Sequence, residues 1–237
     1  MSLGIQLYSV RDDIGPDALP HTLERLAGYG FTHVEPYDIL SDTEGLRAAL
    51  DATGLVAETA HAKITQLDRD AVLDAAARLG ISTVIVPFVP PESIADRDGV
   101  EALADAINAV VPVAADRGIR IGYHNHDFEL SQHIDGRTAY DVLVDALDPA
   151  VVLELDTYWA AVGGEDVLSL IPRLGDRVRF LHVKDDDANP FDVTEAMAAA
   201  TALELPVVEV VVHEGDVFPL VERNARFFGA VRPAVGA

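Results

Sequence analysis

The sequence of 237 residues contains no cysteine, so disulfide bonds, thiolate zinc sites and a cysteine nucleophile are excluded. It also lacks any apolar run of the roughly 18 residues that a membrane-spanning helix needs. The N-terminal segment MSLGIQLYSVRDD has no basic start followed by a long apolar core, so no signal peptide is recognisable. We therefore expect a cytoplasmic protein without a membrane partner.

Basic residues are scarce in this chain. It has 17 Lys+Arg against 40 Asp+Glu, which gives a formal net charge of −23, and its only lysines are Lys63 and Lys184. A field of this sign repels phosphate backbones and anionic lipid surfaces, so nucleic acid is not expected as a partner either. With 49% hydrophobic and 24% charged residues, the composition is otherwise that of a folded globular domain.

Short apolar segments alternate with longer amphipathic ones along the whole chain. The apolar segments predict eight strands, at 3–8, 32–37, 55–60, 82–89, 119–126, 150–156, 177–185 and 206–214. The amphipathic segments predict eight helices, at 19–30, 43–54, 68–80, 99–118 (with an interruption at Pro112), 138–147, 164–175, 192–203 and 218–228. Eight strand–helix units favour an α/β fold, a single (β/α)8 TIM barrel, over a doubly wound sheet. Since no linker divides the chain, residues 1–237 are predicted to form one domain.

Ionisable residues interrupt the predicted strands close to their carboxyl ends, which is where barrels of this type carry their chemistry. Three strands have two such residues in an i, i+2 relation, so that both members of a pair face the same way. The pairs are His124/His126, Glu154/Asp156 and His182/Lys184, and the remaining candidates are Glu35, His61, Glu209, His213 and Glu214.

These residues have ordinary explanations when they are taken singly. A histidine at a strand end is more often structural, an aspartate there is more often a helix cap, and a glutamate is often an ion-pair partner. A charge inside an apolar barrel, however, costs of the order of several kcal/mol unless it is paired or bound to a metal. Convergence of both signs of charge on strands five to eight therefore favours a shared divalent cation. No compact metal or nucleotide motif supports this hypothesis, which depends on the barrel bringing the residues together.

Three segments, HNHDFE, LELDTYWA and LHVKD, carry a family resemblance. Together with IQLYSVRD, GFTHVEPY, TGLVAETAH and the helix PLVERNARFF, they make the sequence resemble the xylose isomerase-like TIM barrel family. Sugar phosphate isomerases/epimerases and inosose dehydratase-like proteins belong to that family. The resemblance spans nearly the whole chain, and it implies a divalent metal ion, manganese, cobalt, magnesium or zinc, at the barrel mouth.

The resemblance also implies which residues bind the metal. Asp156 matches the carboxylate of strand six, and His182 matches the imidazole of strand seven. Glu209 is chosen as the carboxylate of strand eight, with Glu214 as the fallback. His124 stands on strand five, where the best-known epimerases of the family have a glutamate. Carboxylates combined with imidazoles suit manganese, cobalt, iron or zinc better than calcium.

The chemistry implied by the resemblance is proton removal next to the carbonyl of a keto sugar or polyol. Return of the proton gives epimerisation or isomerisation, whereas loss of a β-hydroxyl gives dehydration. Because His124 replaces one of the two glutamates that flank the substrate in such epimerases, a symmetric two-glutamate mechanism is not expected. The candidates for proton transfer are Glu209, Lys184, His126 and Glu154. The candidates for sugar contacts are Glu35, His61, Gln6, Tyr8, Arg11 and Trp159.

Several alternatives to an isomerase or epimerase stay open. A dehydratase or lyase would use the same site. A non-catalytic sugar-binding or scaffold barrel also stays open, because the segment DDDANPFDVTEAM lacks the Gly-Glu-Gly-rich loop that covers the substrate in relatives. A more open site, a different substrate or a partner chain that closes the mouth would each explain the missing loop as well. A DNA-repair nuclease on a related barrel is disfavoured by the acidic charge. No Lys/Arg cluster for a phosphate stands out, so an unphosphorylated sugar is favoured, and the sequence leaves a homo-oligomer open.

Overall fold

A parallel eight-stranded barrel is the framework of the protein in a computed structural model, which describes residues 2–185, 189–211 and 214–231. Its strands are β1 (Gly4–Gln6), β2 (His33–Glu35), β3 (Thr59–His61), β4 (Thr83–Val86), β5 (Arg120–His124), β6 (Val152–Asp156), β7 (Val178–Val183) and β8 (Leu205–Val208). They are hydrogen-bonded in the order β2-β1-β8-β7-β6-β5-β4-β3. Between β2 and the segment before β3, the backbone of Val56 bonds to Val34 and Thr32 and nearly closes the ring. The predicted TIM barrel is confirmed.

Helices surround the strands. The longer ones are Leu19–Tyr29, Thr43–Thr53, Arg69–Leu79, Arg97–Asn108, Ala139–Ala146, Val167–Leu174, Val193–Ala199 and Phe218–Ala230, and two shorter ones are Val111–Ala115 and Thr157–Val162. Short elements are the helix Phe128–Ser131, the 3-10 turns Leu7–Asp13, Pro91–Ile94 and Gly175–Arg177, and a two-stranded hairpin of His133–Ile134 with Arg137–Thr138. The predicted helix 99–118 is two helices, and Pro112 lies in the first turn of the second, where its missing N–H is tolerated. Within the described ranges, no helix combines the length and apolar composition needed to cross a membrane.

Helix ends follow signals in the local sequence, as the helix Arg69–Leu79 illustrates. The carboxylate of Asp68 accepts hydrogen bonds from the backbone N–H groups of Asp70 and Ala71, which the first helical turn leaves without partners. At the other end, Gly80 adopts a left-handed conformation with φ 79°, which a residue with a side chain rarely adopts. The helix is therefore confined to the segment that its cap residues predict.

The lumen of the barrel is layered along its axis. An apolar cluster fills one level, and it consists of Ile85, Val152, Phe180, Leu205 and Val207. Gly122 leaves room for this cluster, because a Cβ there would lie 3.0 Å from Ile85 Cγ1 and 3.3 Å from Val152 Cγ2. Two residues further along β6 and β7 come the buried Glu154 and His182. The apolar cluster is named here the apolar plug. The buried ionisable residues lie above it, nearer the carboxyl ends of the strands.

Candidate functional site

Four buried side chains on β1, β2, β3 and β6 form the deeper layer of the site, named here the deep cluster: Gln6, Glu35, His61 and Glu154. Gln6 Nε2 donates to Glu35 Oε1 over 2.8 Å. His61 Nε2 lies 3.1 Å from the same oxygen and 2.6 Å from Glu154 Oε2. One oxygen of each buried carboxylate is thus held by N–H groups of the protein, whereas Glu35 Oε2 and Glu154 Oε1 have no hydrogen-bond partner among the described residues.

Four further side chains, on or just after β5 to β8, lie closer to the cavity and are named here the mouth quartet: His124, Asp156, His182 and Glu209. One donor atom of each lies within 4.8 Å of the donor atoms of the others. His182 Nδ1 is 3.1 Å from Glu209 Oε2 and 3.8 Å from Asp156 Oδ2. The structure therefore brings together the four residues that the sequence analysis assigned as metal ligands. The fallback Glu214 is exposed instead, and His213 lies outside the described residues.

His182 connects the two layers. Its Nε2 lies 2.8 Å from Glu35 Oε1 and 3.2 Å from Glu154 Oε2, whereas its Nδ1 faces the mouth quartet. An N–H at Nε2 that donates to these carboxylates leaves Nδ1 as the atom directed at a bound ion. Carboxylates behind a metal-binding histidine commonly fix its tautomer and orientation in this way.

Burial and neighbouring charges push the pKa values of the four carboxylates apart. Burial, reinforced by Glu154, raises the pKa of Glu35, whereas the imidazolium of His182 holds the pKa of Glu154 well below its ordinary value although burial opposes this. Burial and then the charge of Glu209 raise the pKa of Asp156 to about 8. Against burial, His182 lowers the pKa of Glu209 to about 2. Each layer therefore pairs a carboxylate that resists ionisation with one that favours it.

The pKa values of the histidines in and beside the two layers also shift in opposite directions. Burial lowers the pKa of His124 to about 4 and the pKa of His126 to about 3, so both are neutral near pH 7. Burial would also lower the pKa values of His61 and His182, but Glu35 and Glu154 raise the pKa of His61, and Glu154 and Glu209 raise the pKa of His182. A neutral imidazole is the form that binds a metal or accepts a proton, so His182 would lose its Nδ1 proton when a cation binds.

The mouth quartet fits a divalent cation. Asp156 and Glu209 place two carboxylates together in a buried site, where their charges repel unless a proton or cation lies between them. The buried Nδ1 of His124 lies 3.2 Å from Glu154 Oε2 but forms no hydrogen bond of normal geometry among the described residues. Two carboxylates, two imidazoles and no thiolate form a donor set for manganese, cobalt, iron or zinc. We therefore regard the quartet as a candidate metal centre.

Asn125 fixes the position of Asp156, a role that the sequence analysis missed. Its Oδ1 accepts from the backbone N–H of Asp156 over 2.9 Å, and its Nδ2 donates to the carbonyl of Asp156 over 3.3 Å. Asp156 Oδ1 in turn accepts from the backbone N–H of Trp159, which caps the helix Thr157–Val162. The sequence did contain one sign of this role, because Asn125 stands between two candidate histidines in the segment HNH.

A cavity of about 660 Å³ opens beside the mouth quartet. Of the residues predicted to contact a sugar, Tyr8, His61 and Trp159 line it. Gln6 and Glu35 lie in the deep cluster behind the wall, with 0% and 1% of their surface exposed. Arg11 lines a smaller neighbouring pocket, and its guanidinium lies 4.6 Å from the centre of the Tyr8 ring. The sequence analysis did not predict three other residues of the wall, Tyr37, Lys63 and Phe88.

The predicted proton-transfer residues are likewise distributed over different environments. Glu209 and His126 line the cavity. Glu154 has 0% of its surface exposed and belongs to the deep cluster. Lys184 is buried away from the cavity wall, and its Nζ lies 3.7 Å from the centre of the Tyr158 ring. Of these four residues, Glu209 and His126 are therefore the ones that a bound substrate can contact.

Comparison with protein families supports the resemblance seen in the sequence. The family model described as xylose isomerase-like TIM barrel matches residues 23–195. The chain belongs to this family. The matched span of this xylose isomerase-like barrel contains β2 to β7.

The individual relatives of this xylose isomerase-like barrel are distant. It is 28% identical over 111 residues to inosose dehydratase from Bacillus anthracis, which is 46% of this chain and 36% of the relative. It is 33% identical over 86 residues to inosose dehydratase from Geobacillus thermodenitrificans, which is 36% of this chain and 28% of the relative. The match therefore spans about a third of the length of these curated relatives.

Solved structures share the fold over nearly the whole chain. A sugar phosphate isomerase/epimerase from Parabacteroides distasonis has a TM-score of 0.86 at 22% sequence identity, covering 97% of this chain and 93% of the other. The 3-keto-D-glucoside 4-epimerase from E. coli has a TM-score of 0.72 at 18% identity, covering 98% of this chain and 100% of the other. Because both sequence identities are low, the structural similarity establishes the fold of this chain alone.

Proposed function

We propose that this protein is a divalent-metal-dependent enzyme that transfers a proton next to the carbonyl of a keto sugar or polyol, as an isomerase or epimerase. The observation that carries this proposal is the mouth quartet beside an open cavity, with donor atoms within 4.8 Å of one another. The family, and structural neighbours described as sugar isomerases and epimerases, support it.

His124, Asp156, His182 and Glu209 are the residues that would hold the cation, for which manganese, cobalt, magnesium and zinc are the candidates. A cation there supplies Lewis acidity, which polarises a carbonyl and acidifies the neighbouring C–H bond. The protein itself contributes the orientation of the ligands, because Asn125 holds the backbone of Asp156 and the deep cluster holds His182. This support leaves the ligand atoms little freedom to reorganise during the reaction.

Glu209 and His126 are the groups on the cavity wall that can carry a proton. Glu209 is ionised near neutrality because His182 lowers its pKa to about 2, and His126 is neutral because burial lowers its pKa to about 3. Groups with such low pKa values are weak bases by themselves. They would therefore require a C–H bond that is already acidified. His126 is oriented by Phe128, on which it stacks with ring centroids 5.6 Å apart.

A dehydratase of a keto sugar or inosose is the second candidate, because the curated relatives are inosose dehydratases. Loss of a hydroxyl requires a group that donates a proton to the leaving oxygen, in addition to the base. Lys63 lies on the cavity wall and is a candidate for this role. Among the described residues of that wall it is also the single Lys or Arg, which supports an unphosphorylated substrate.

Metal analysis separates an enzyme from a non-catalytic barrel. After loading with Mn²⁺ and dialysis, we expect one ion per chain in the wild type and none in Asp156→Ala. Asp105→Ala is the matched control, because Asp105 is an exposed aspartate on the helix Arg97–Asn108. Absence of a stoichiometric ion in the wild type would favour the scaffold alternative. A cytoplasmic location and a homo-oligomeric state stay predictions.

Reaction in D₂O separates the two catalytic candidates. The manganese-loaded protein is incubated with a panel of unphosphorylated ketoses and inososes, and the products are analysed by NMR and mass spectrometry. An isomerase or epimerase should incorporate deuterium next to the carbonyl, whereas a dehydratase should yield a product lacking one molecule of water. If neither change occurs with any compound, proton-transfer chemistry is contradicted.

A further inference from the structure

The 3-10 turn Leu7–Asp13 continues β1 and connects the cavity wall with the interior of the barrel. Tyr8 lines the cavity, whereas the next residue, Ser9, is buried with 1% of its surface exposed. Gln6, at the end of β1, holds the start of the turn, because its Oε1 accepts from the backbone N–H of Tyr8 over 3.0 Å. Since the Nε2 of Gln6 belongs to the deep cluster, the position of the turn is fixed from inside the lumen.

Ser9 makes a long-range contact to the chain directly after β8. Its Oγ accepts a hydrogen bond from the backbone N–H of Val210 over 2.9 Å, and both groups are buried. The preceding residue is Glu209, whose own backbone N–H donates to the carbonyl of Val183 on β7 over 3.2 Å. The backbone that carries the Glu209 side chain is therefore held on one side by β7 and on the other by Ser9.

The hydroxyl of Ser9 continues a strand ladder that the backbone itself does not continue. β1 and β8 pair in parallel as far as Ile5 and Val208. β1 ends at Gln6, where the chain turns into the 3-10 segment, so the ladder stops before it reaches Val210. Val210 is 2% exposed, and a buried N–H without a partner is unfavourable. Ser9 Oγ is thus the acceptor that keeps this backbone in its place.

We propose that Ser9 is a positioning residue for Glu209, and that it sets the height and angle of the carboxylate in the mouth quartet. Glu209 Oε2 lies 3.1 Å from His182 Nδ1, so a small backbone shift would change the geometry of the quartet. Asn125 supports Asp156 through its backbone in the same manner. The proposal rests on the proposed function, because it takes Glu209 as a metal ligand. Residues behind a ligand commonly determine metal affinity in this way.

The affinity for Mn²⁺ is the first readout of this role. EPR of free Mn²⁺, added to the metal-free protein, follows weak as well as tight binding. We expect Ser9→Ala to weaken binding about tenfold or more, as is typical when the support of a ligand is lost. Thr22→Val is the matched control, because the buried hydroxyl of Thr22 donates to the carbonyl of Asp13 at the far end of the same turn. It should leave the affinity unchanged.

The ring nitrogens of His182 provide a second readout that requires no metal. Because Glu209 Oε2 faces Nδ1, a displaced carboxylate should shift the Nδ1 signal in nitrogen NMR of the metal-free protein. We expect this shift in Ser9→Ala and not in Thr22→Val. In a Glu209→Gln background, Ser9→Ala should cause a much smaller shift, because the charge through which it acts has been removed.

Several results would overturn the proposal. If the wild type binds Mn²⁺, an unchanged affinity in Ser9→Ala would do so, and so would an equal loss in Thr22→Val, which indicates general destabilisation. An unchanged His182 signal, or a shift of the same size in the Glu209→Gln background, would also contradict it. If Ser9→Ala does not fold, Ser9→Cys takes its place, since sulfur is a weak acceptor, and smaller effects in the same direction are expected. If the wild type binds no Mn²⁺, the metal centre fails while the His182 signal still decides the role of Ser9, so the two failures are distinguishable.

Discussion

At the scale of residues, Glu35 and Glu154 are neighbours in the deep cluster with opposite tendencies to ionise. Burial and the charge of Glu154 raise the pKa of Glu35. The imidazolium groups of His182 and His61 hold the pKa of Glu154 well below its ordinary value in spite of burial. Glu154 is therefore an anion shared by His61 and His182, the second of which also faces the ionised Glu209, whereas Glu35 is closer to a neutral hydrogen-bonding group.

The two glutamates should respond differently to substitution by glutamine in the metal-free protein. Glu154→Gln removes the buried anion that His61 and His182 share, so we expect a loss of about 3–5 kcal/mol in the free energy of unfolding. Glu35→Gln replaces a group that resists ionisation by a neutral one of the same shape, so we expect a loss below about 1 kcal/mol. Urea unfolding at pH 7 with a chelator measures both. Equal losses would contradict the assigned charges.

The sequence predicted which of these residues face the lumen, but not how deep they lie. Strand alternation is enough to place Glu154 and Asp156 on one face, and the structure shows both inside the barrel. The height of a side chain above the apolar plug depends on the stagger of neighbouring strands, which a single sequence does not contain. For this reason Glu35 was expected at the sugar and lies behind the cavity wall instead.

At the scale of elements, the apolar plug depends on close approach between strands. Gly122 on β5 faces Ile85 and Val152 at distances that leave no space for a methyl group. A Cβ on Gly28, which is exposed in the helix Leu19–Tyr29, would meet nothing within 4 Å. These two glycines thus lie in regular elements with opposite surroundings.

Alanine substitution at these glycines should change stability in opposite directions. Gly122→Ala overpacks the plug and should cost about 1–3 kcal/mol. Gly28→Ala removes backbone freedom of the unfolded chain in a helix and should add about 0.5–1 kcal/mol. Chemical denaturation of both variants tests this. A neutral or stabilising Gly122→Ala would show that the plug is more loosely packed than the structure indicates.

The short helix Phe128–Ser131 is attached to β5 by a buried carboxylate. Glu129 accepts hydrogen bonds from the hydroxyl of Tyr123 over 2.9 Å and from the backbone N–H of His126 over 2.8 Å. Burial raises the pKa of Glu129 to about 7. The folded state therefore binds this proton more tightly than the unfolded state, and the stabilisation present at low pH is lost as the pH rises from about 4.5 to about 7.

Replacement of Glu129 isolates this contribution from the other titrating groups. In the wild type, the fall in unfolding free energy between pH 5 and pH 8 should include a contribution of the order of a few kcal/mol from this carboxyl group. Glu129→Gln should make that fall smaller by this amount. Denaturation of both proteins at the two pH values with a chelator gives the difference. An unchanged pH dependence would contradict the raised pKa of Glu129.

The elements that the sequence analysis found and missed differ in length. Helices such as Thr43–Thr53 span three turns, which is enough for an apolar stripe, and their predicted bounds differ from the observed ones by a residue. The helices Phe128–Ser131 and Thr157–Val162 and the hairpin at 133–138 are too short to show a period. Phe128 stacks on His126, and Trp159 lies in the helix Thr157–Val162, so the site was less predictable than its framework.

At the scale of the whole molecule, the acidic charge should act on stability. A formal net charge of −23 brings many like charges together in the folded state, and their repulsion is screened by salt. We expect the melting temperature of the metal-free protein to rise by several degrees between about 10 mM and 500 mM NaCl. Calorimetry with a chelator present tests this. A melting temperature that is constant or falls with salt would show that local ion pairs neutralise the field.

The repeated strand–helix pattern explains why the barrel was predictable as a whole. Each strand–helix unit contributes one strand to the barrel and ends with similar residues. An error in one predicted boundary therefore leaves the number of predicted strands at eight. The mouth quartet, by contrast, combines residues from four units, His124, Asp156, His182 and Glu209. Its assembly follows from the barrel, and its use as a metal centre is the central claim that remains to be measured.

The most direct measurement is the anomalous difference density of a crystal soaked in MnCl₂. We expect one strong peak at the barrel mouth, about 2.0–2.3 Å from donor atoms of Asp156, His182, Glu209 and His124. The peak should be absent from Asp156→Ala crystals soaked in the same way. A wild-type map without a peak at these four residues, or with peaks confined to surface carboxylates, would contradict the metal centre.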